Sequence, residues 1–125
     1  MLKHIKLYGT TTAGGALTVT ANTTAYGMLK AVEWIDGDLV DGVDAVLTLV
    51  RDDNAADITL LTLTNANTDA VYYTRMAASD NTGAAINYAA TFPIYVEPFL
   101  NGTLSLTIAS GGATKSGGCI VYYEA

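Results

Sequence analysis

The sequence predicts an all-β domain: an antiparallel β-sandwich, jelly-roll-like, built from about eight or nine short strands. Three observations carry that reading. Short segments alternate apolar and polar residues, as at Ile5 and Leu7, Leu17 and Val19, and Leu104, Leu106 and Ile108, which is the period of a half-buried strand. Clusters of Gly, Asn and Asp separate these segments at the spacing expected of a sandwich or barrel. No stretch holds a helical period long enough to make a helix. At 125 residues the chain is expected to form a single domain, residues 1–125, with an apolar core that needs no metal or disulfide support.

Lys3 to Tyr8 reads as the first strand, and Gly9 to Gly15 as a flexible loop. Ala16 to Thr20 alternates again, with Leu17 and Val19 inward and the threonines outward. Asn22 to Gly27 is expected to turn the chain into its central feature, Met28 to Val50. There, two apolar runs flank the acidic, glycine-containing stretch Asp36 to Asp44. Because a parallel pair needs a crossover of a dozen or more residues, runs joined this closely are expected to pair as an antiparallel hairpin. Trp34, the only tryptophan, belongs to the first run, and Leu47 and Leu49 share a face of the second.

Arg51 to Asp57 is a polar connection. Ile58 to Thr64 is strand-like, but the adjacent Leu60 and Leu61 break the alternation, which implies a bulge or burial on both faces. After a turn at Asn65 to Asp69, Ala70 to Met76 is strand-like through Val71, Tyr72 and Tyr73. Ala77 to Ala90 reads as a long loop with a short strand near Ile86 to Tyr88. Pro93 and Pro98 confine Ile94 to Glu97 to a short edge strand. Asn101-Gly102 is the strongest hairpin signal in the chain, because a type I′ turn favours that dipeptide. A clean strand from Leu104, a glycine-rich connector from Gly111 to Gly118 and a closing strand from Cys119 to Glu124 complete the chain.

Composition narrows the function. The net charge is −6, and the six basic residues, Lys3, Lys6, Lys30, Arg51, Arg75 and Lys115, are scattered. Nucleic-acid binding needs clustered basic side chains, so no nucleic acid is expected as a partner. No apolar run is long enough to span a membrane as a helix, and Lys3, His4 and Lys6 interrupt any signal-peptide pattern, so a cytoplasmic synthesis is expected. Charged residues make up only 14% of the chain, against roughly 25% in ordinary soluble domains. Such an exterior suits a surface that neighbouring molecules cover.

Few residues suggest chemistry. Asp36, Asp38, Asp41 and Asp44 place four carboxylates in nine residues, which superficially suits calcium. The EF-hand order is missing, however, and Asp-Gly pairs are ordinary turn formers, so no metal or cofactor is expected. Cys119 cannot form an internal disulfide and is expected to be a buried thiol; pairing with His4 as a nucleophile would need an orienting group that nothing supplies. Glu33 and Glu97 as a glycosidase pair, and a phosphate cradle at Gly111 to Gly118, lack the required context. The chain is not expected to be an enzyme. Tyr72, Tyr73, Tyr122 and Tyr123 are the candidate interface residues; they form two adjacent pairs, each of which should turn one ring inward and one outward, and outward tyrosines serve as interface anchors or as sugar-stacking groups.

Three segments carry a likeness to known proteins: Leu29-Lys-Ala-Val-Glu-Trp-Ile-Asp-Gly37, Gly42-Val-Asp-Ala-Val-Leu47, and Gly111-Gly-Ala-Thr-Lys-Ser-Gly-Gly-Cys-Ile-Val-Tyr-Tyr123. Through them the chain resembles the small β-sandwich virion proteins of tailed phages, often taken as capsid decoration or cement proteins. The resemblance implies a structural protein on the capsid surface of the virion. Its partners would be the major capsid protein and copies of itself, commonly as a trimer, with no active-site residues to carry over. The competing expectation is a lectin-like or adhesin-like carbohydrate-binding module, or a head-fibre or tail-surface component.

Overall fold

The structure, a computed structural model, describes all 125 residues. It is all-β. Eleven strands follow in order: β1 (Leu2–Thr10), β2 (Leu17–Ile35), β3 (Asp44–Arg51), β4 (Ile58–Leu63), β5 (Ala70–Tyr72), β6 (Met76–Ala77), β7 (Asn87–Ala89), β8 (Phe92–Pro93), β9 (Tyr95–Val96), β10 (Phe99–Ala109) and β11 (Ser116–Glu124). Seven of them make one antiparallel sheet in the order β1-β11-β2-β10-β3-β4, with β5 also paired to β2.

That sheet folds over along β2, whose 19 residues serve two layers. From Leu17 to Met28, β2 pairs with β10, which pairs with β3, which pairs with β4. From Met28 to Ile35 it pairs with β11, which pairs with β1, and with β5. Met28 faces both Phe99 and Glu124 across the ladders, so the change of partner falls at one residue. Gly27 precedes it with φ 140°, a conformation that side chains resist. A Cβ there would collide with the Glu124 carbonyl.

The layers meet over a core that includes Leu7, Leu29, Val32, Trp34, Cys119 and Val121 from one side and Leu47, Leu49, Leu104, Leu106 and Ile108 from the other. Trp34 is 1% exposed and donates its indole N–H to the Ala66 carbonyl at 3.0 Å. The fold's one cavity, lined by eight apolar residues including Trp34, Cys119 and Leu106, measures about 10 Å³. That is barely the room a water needs.

Several expectations hold and several are corrected. β1, β3, β4 and β11 fall within a residue or three of where the sequence puts them, as does the alternating half of β10. The Leu60–Leu61 irregularity is a bulge: Leu61 faces Leu47 and Thr59 faces Thr48, which leaves Leu60 over. The central hairpin does not form, because β10 lies between β2 and β3. Residues 36–43 cross instead from one layer to the other, plugged by Leu39 at 5% exposure. They are stapled to the β10–β11 connection by Val40 N–H to the Gly111 carbonyl (3.1 Å) and Asp38 N–H to the Ser116 carbonyl (3.0 Å). Asn22 to Gly27 is not a turn but part of β2; the ladder jumps from Thr20–Ser105 to Thr24–Thr103, so that Ala21 to Thr23 bulge opposite Leu104.

Asn101-Gly102 is not a turn either. It sits inside β10, where the glycine lets the Val50 carbonyl approach. A further bulge at Lys30, where the ladder steps from Ala31–Tyr122 to Leu29–Tyr123, reverses the alternation of β2. Leu29 therefore shares the buried side with Val32 and Trp34, and Glu33 turns to the other face.

Candidate functional site

The acidic loop does not converge on a point. Asp38 Oδ1 accepts the Ser116 N–H at 2.5 Å and Asp44 Oδ1 accepts the Asn65 N–H at 3.1 Å, while Asp41 is exposed. Each of the first two carboxylates ties its loop to a neighbouring segment. No three His, Cys, Asp or Glu side chains gather in a way that would hold a metal ion. Asp36 is the odd member: its backbone N–H donates to Asp69 Oδ1 at 2.8 Å, and its own Oδ1 is buried without a hydrogen-bond partner. Burial, then the nearby Asp69 and Asp41 carboxylates, push its pKa up.

A carboxyl whose pKa is raised by folding favours the protonated fold, so its stabilising share is present below the ordinary carboxylate range and is lost as pH rises through the raised value. Asp36→Asn is therefore expected to raise the melting temperature at pH 7 and to change it little at pH 3. Equal shifts at both pH values in thermal melts would contradict this account.

His4 and Cys119 are not brought together. His4 pairs with Tyr122 and is exposed, with its ring 6.1 Å from the Tyr122 ring. Cys119 pairs with Leu7 and Trp34 and is 1% exposed. Burial pushes its thiol up to about 12, so almost no thiolate exists at neutral pH. Native protein should leave a thiol reagent such as DTNB unconsumed over hours, and the guanidinium-unfolded chain should consume one equivalent at once.

Glu33 and Glu97 are each engaged elsewhere. Glu33 Oε1 accepts the Tyr122 hydroxyl at 3.1 Å, which pushes the phenol pKa up, and Glu97 pairs with Lys30 at 2.8 Å. The glycine-rich connector is a tight β10–β11 link, with Gly117 and Gly118 already inside β11. The half-buried Tyr72 packs against the core while Tyr73 is 69% exposed. Tyr123 is 5% exposed and lies in the core, so it offers nothing to an interface, whereas Tyr122 lies on the outer face beside His4 and Glu33. Of the four candidate tyrosines, Tyr73 alone stands mostly in water.

Most of the exposed large apolar residues lie where the sequence is hardest to read. Residues 73–97 leave the sandwich after β5 and return at β10 as an arm of two small ribbons, β6 with β9 and β7 with β8. The ribbons are linked by a ring of backbone hydrogen bonds: Ala78 N–H to Ile94, Ile86 N–H to Ala78 and Ile94 N–H to Ile86. At the tip, Asp80 accepts the Thr82 hydroxyl and the Thr82 and Ala84 amides, which hold its pKa down. At the root, Lys30 pairs with Glu97, and Arg75 donates to the Lys30 carbonyl at 3.3 Å.

No residue from 71 to 97 is buried. Yet nine of the chain's sixteen exposed large apolar residues lie between 71 and 99, among them Tyr73, Tyr88, Phe92, Tyr95, Val96 and Phe99. Tyr88 and Phe92 stack at 5.8 Å but leave more than half of each ring in water. Sequence reasoning found Tyr73 and missed the rest. The signal was available: five large apolar residues between 88 and 96 with no charge among them. Single exposed apolar residues are ordinary, whereas a concentration of them in one segment is the pattern that accompanies interaction sites. Compared with known proteins, the chain matches no family model, no curated protein and no solved structure.

Proposed function

We propose that the protein is a structural component of a tailed-phage virion, a decoration protein that seats on the capsid surface and strengthens the shell. The observation that carries this reading is the arm: residues 73–97 expose seven large apolar side chains, and none of these residues is buried in the core of its own chain. A single domain gains no stability by displaying rings to water. A protein held by protein–protein contact does, because each ring is then removed from water when the contact forms.

The low charge density agrees, since interface centres are depleted of charged side chains. The cavity of about 10 Å³ leaves the outer surfaces and the arm as the parts able to meet another molecule. On a lattice of equivalent sites, modest affinity per copy suffices, because occupancy of the bound state stabilises the assembled shell by mass action.

The test is direct. Purified protein is mixed with emptied heads of the phage whose genome carries the gene, and the heads are pelleted and heated. Saturable co-sedimentation together with a higher temperature of head disruption supports the reading. Heads that neither bind the protein nor carry it in the native particle overturn it.

A further inference from the structure

We infer that residues 73–97 form a hinged arm whose docked position is held by one residue, Lys30, acting as a latch on both of its legs. The inference concerns how the arm moves and goes beyond the shell-surface reading, since it holds whatever the arm meets.

Lys30 is free for this role because it stands out of the ladders. The β2–β11 register steps over it, from Ala31–Tyr122 to Leu29–Tyr123, and the extra residue of a bulge is left unpaired. On the other edge, β2 pairs with β5 from Trp34 to Val32. The next pair along would join Lys30 to Thr74, and it does not form. Instead the Lys30 carbonyl accepts the Arg75 guanidinium at 3.3 Å, on the leg that leaves the sandwich. The Lys30 ammonium meets the Glu97 carboxylate at 2.8 Å, on the leg that returns.

Little else holds the arm. Every hydrogen bond and ion pair between residues 73–97 and the rest of the chain ends on Lys30. None of those residues is buried, and none packs against the core. Immediately outside the arm the frame is firm: Leu29 N–H donates to the Pro98 carbonyl at 2.9 Å, and Tyr72 faces Val32 in the ladder. Just beyond the legs β6 pairs with β9, so the two legs move together. The hinge therefore falls at residues 73–75 and at 97, and the arm turns as one body.

The docked joint is also incompletely satisfied. The Thr74 hydroxyl is buried there without a hydrogen-bond partner, and a stranded polar group favours any arrangement that returns it to water. The Lys30 and Glu97 side chains are 41% and 30% exposed, so salt weakens the contact that opposes release. Docked and released positions thus lie close in free energy, and rising ionic strength shifts the balance towards release.

The experiment reads the distance from sandwich to arm tip in the full chain. Cys119 is buried, so a cysteine placed at the exposed tip by Asn81→Cys takes a dansyl acceptor alone. Time-resolved energy transfer from Trp34, the sole tryptophan, then gives the distance distribution. At low salt one narrow distribution is expected, and high salt should add a second population. Glu97→Gln, which keeps the shape and removes the charge, should raise the released-to-docked ratio about two- to fivefold at low salt, the range for a partly exposed ion pair.

Lys30→Glu alone should release the arm, and adding Glu97→Lys should dock it again. Far-UV circular dichroism and tryptophan emission without the acceptor show that each variant keeps the sandwich. A distribution that neither salt nor any of these variants changes overturns the inference, as does a charge-reversed pair that behaves like Lys30→Glu alone.

Discussion

Trp34→Ala is expected to lower the unfolding free energy by about 4–6 kcal/mol. Truncating a buried tryptophan costs about 3–5 kcal/mol, and the Ala66 carbonyl that accepts its indole N–H at 3.0 Å is stranded, which adds about 1 kcal/mol or more. Trp34 sits at the centre of the face-to-face packing, with Leu47 and Leu106 from the opposite layer and Cys119 from the neighbouring strand around the same cavity. The site has little freedom to collapse, since most of its walls are strands paired on both edges, with the edge strand β4 the exception. Against a total stability of about 5–15 kcal/mol, such a loss leaves the fold marginal or unfolded at 37 °C. Trp34→Phe, which fills most of the space but lacks the donor, should lose about half as much. Urea titration followed by far-UV circular dichroism measures both; equal midpoints for wild type and Trp34→Ala would mean that the layers are not held at this point.

Gly27→Ala is expected to cost about 2–5 kcal/mol, a large effect for one methyl group. A φ of 140° costs a side chain about 1–3 kcal/mol, and the added carbon meets the Glu124 carbonyl, so the β2–β11 ladder must shift to admit it. A comparison isolates the second cause. Gly83 also has positive φ, at 84°, but nothing lies within 4 Å of where its Cβ would be. Gly83→Ala should cost only the conformational share, about 1 kcal/mol. If the two variants melt together, the close approach at Gly27 contributes nothing. If Gly27→Ala alone collapses, the change of partner in β2 depends on an absent side chain.

The contrast between these glycines shows which parts of the fold were legible. The layered all-β architecture and most of the long strands could be read because each follows from a local pattern: Leu104, Leu106 and Ile108 alternate in sequence and are all buried in space. The pairing was not local. Nothing near Met28 or Val50 shows that a strand some fifty residues further on will insert between them, so short connection length suggested a hairpin that does not exist.

Glycine was misread for a related reason. At Asn101-Gly102 and at Gly27 the residue permits the close approach of a neighbouring carbonyl rather than a reversal of the chain, and both uses look identical in sequence. The bulge at Lys30 was invisible, although it decides which side of β2 Glu33 occupies. As for the candidate site, the inward–outward logic separates Tyr123 from Tyr122 correctly. In the arm, the short strands near Ile86 to Tyr88 and between Pro93 and Pro98 were legible, but the ribbons they join were not, because these are two or three residues long and hold together through a ring of backbone bonds that no alternation announces.

The shared strand has one more consequence, which concerns how the molecule comes apart. Since β2 runs through both layers and Met28 pairs in both ladders, loss of order in one layer is expected to pass to the other along the shared strand. Trp34, the sole tryptophan, sits in the half of β2 that pairs with β11, so its emission should fade at the same denaturant concentration as amide protection in β3 and β10 on the far side. The arm stands outside that cooperative unit, and its amides should exchange with deuterium far sooner than the rest.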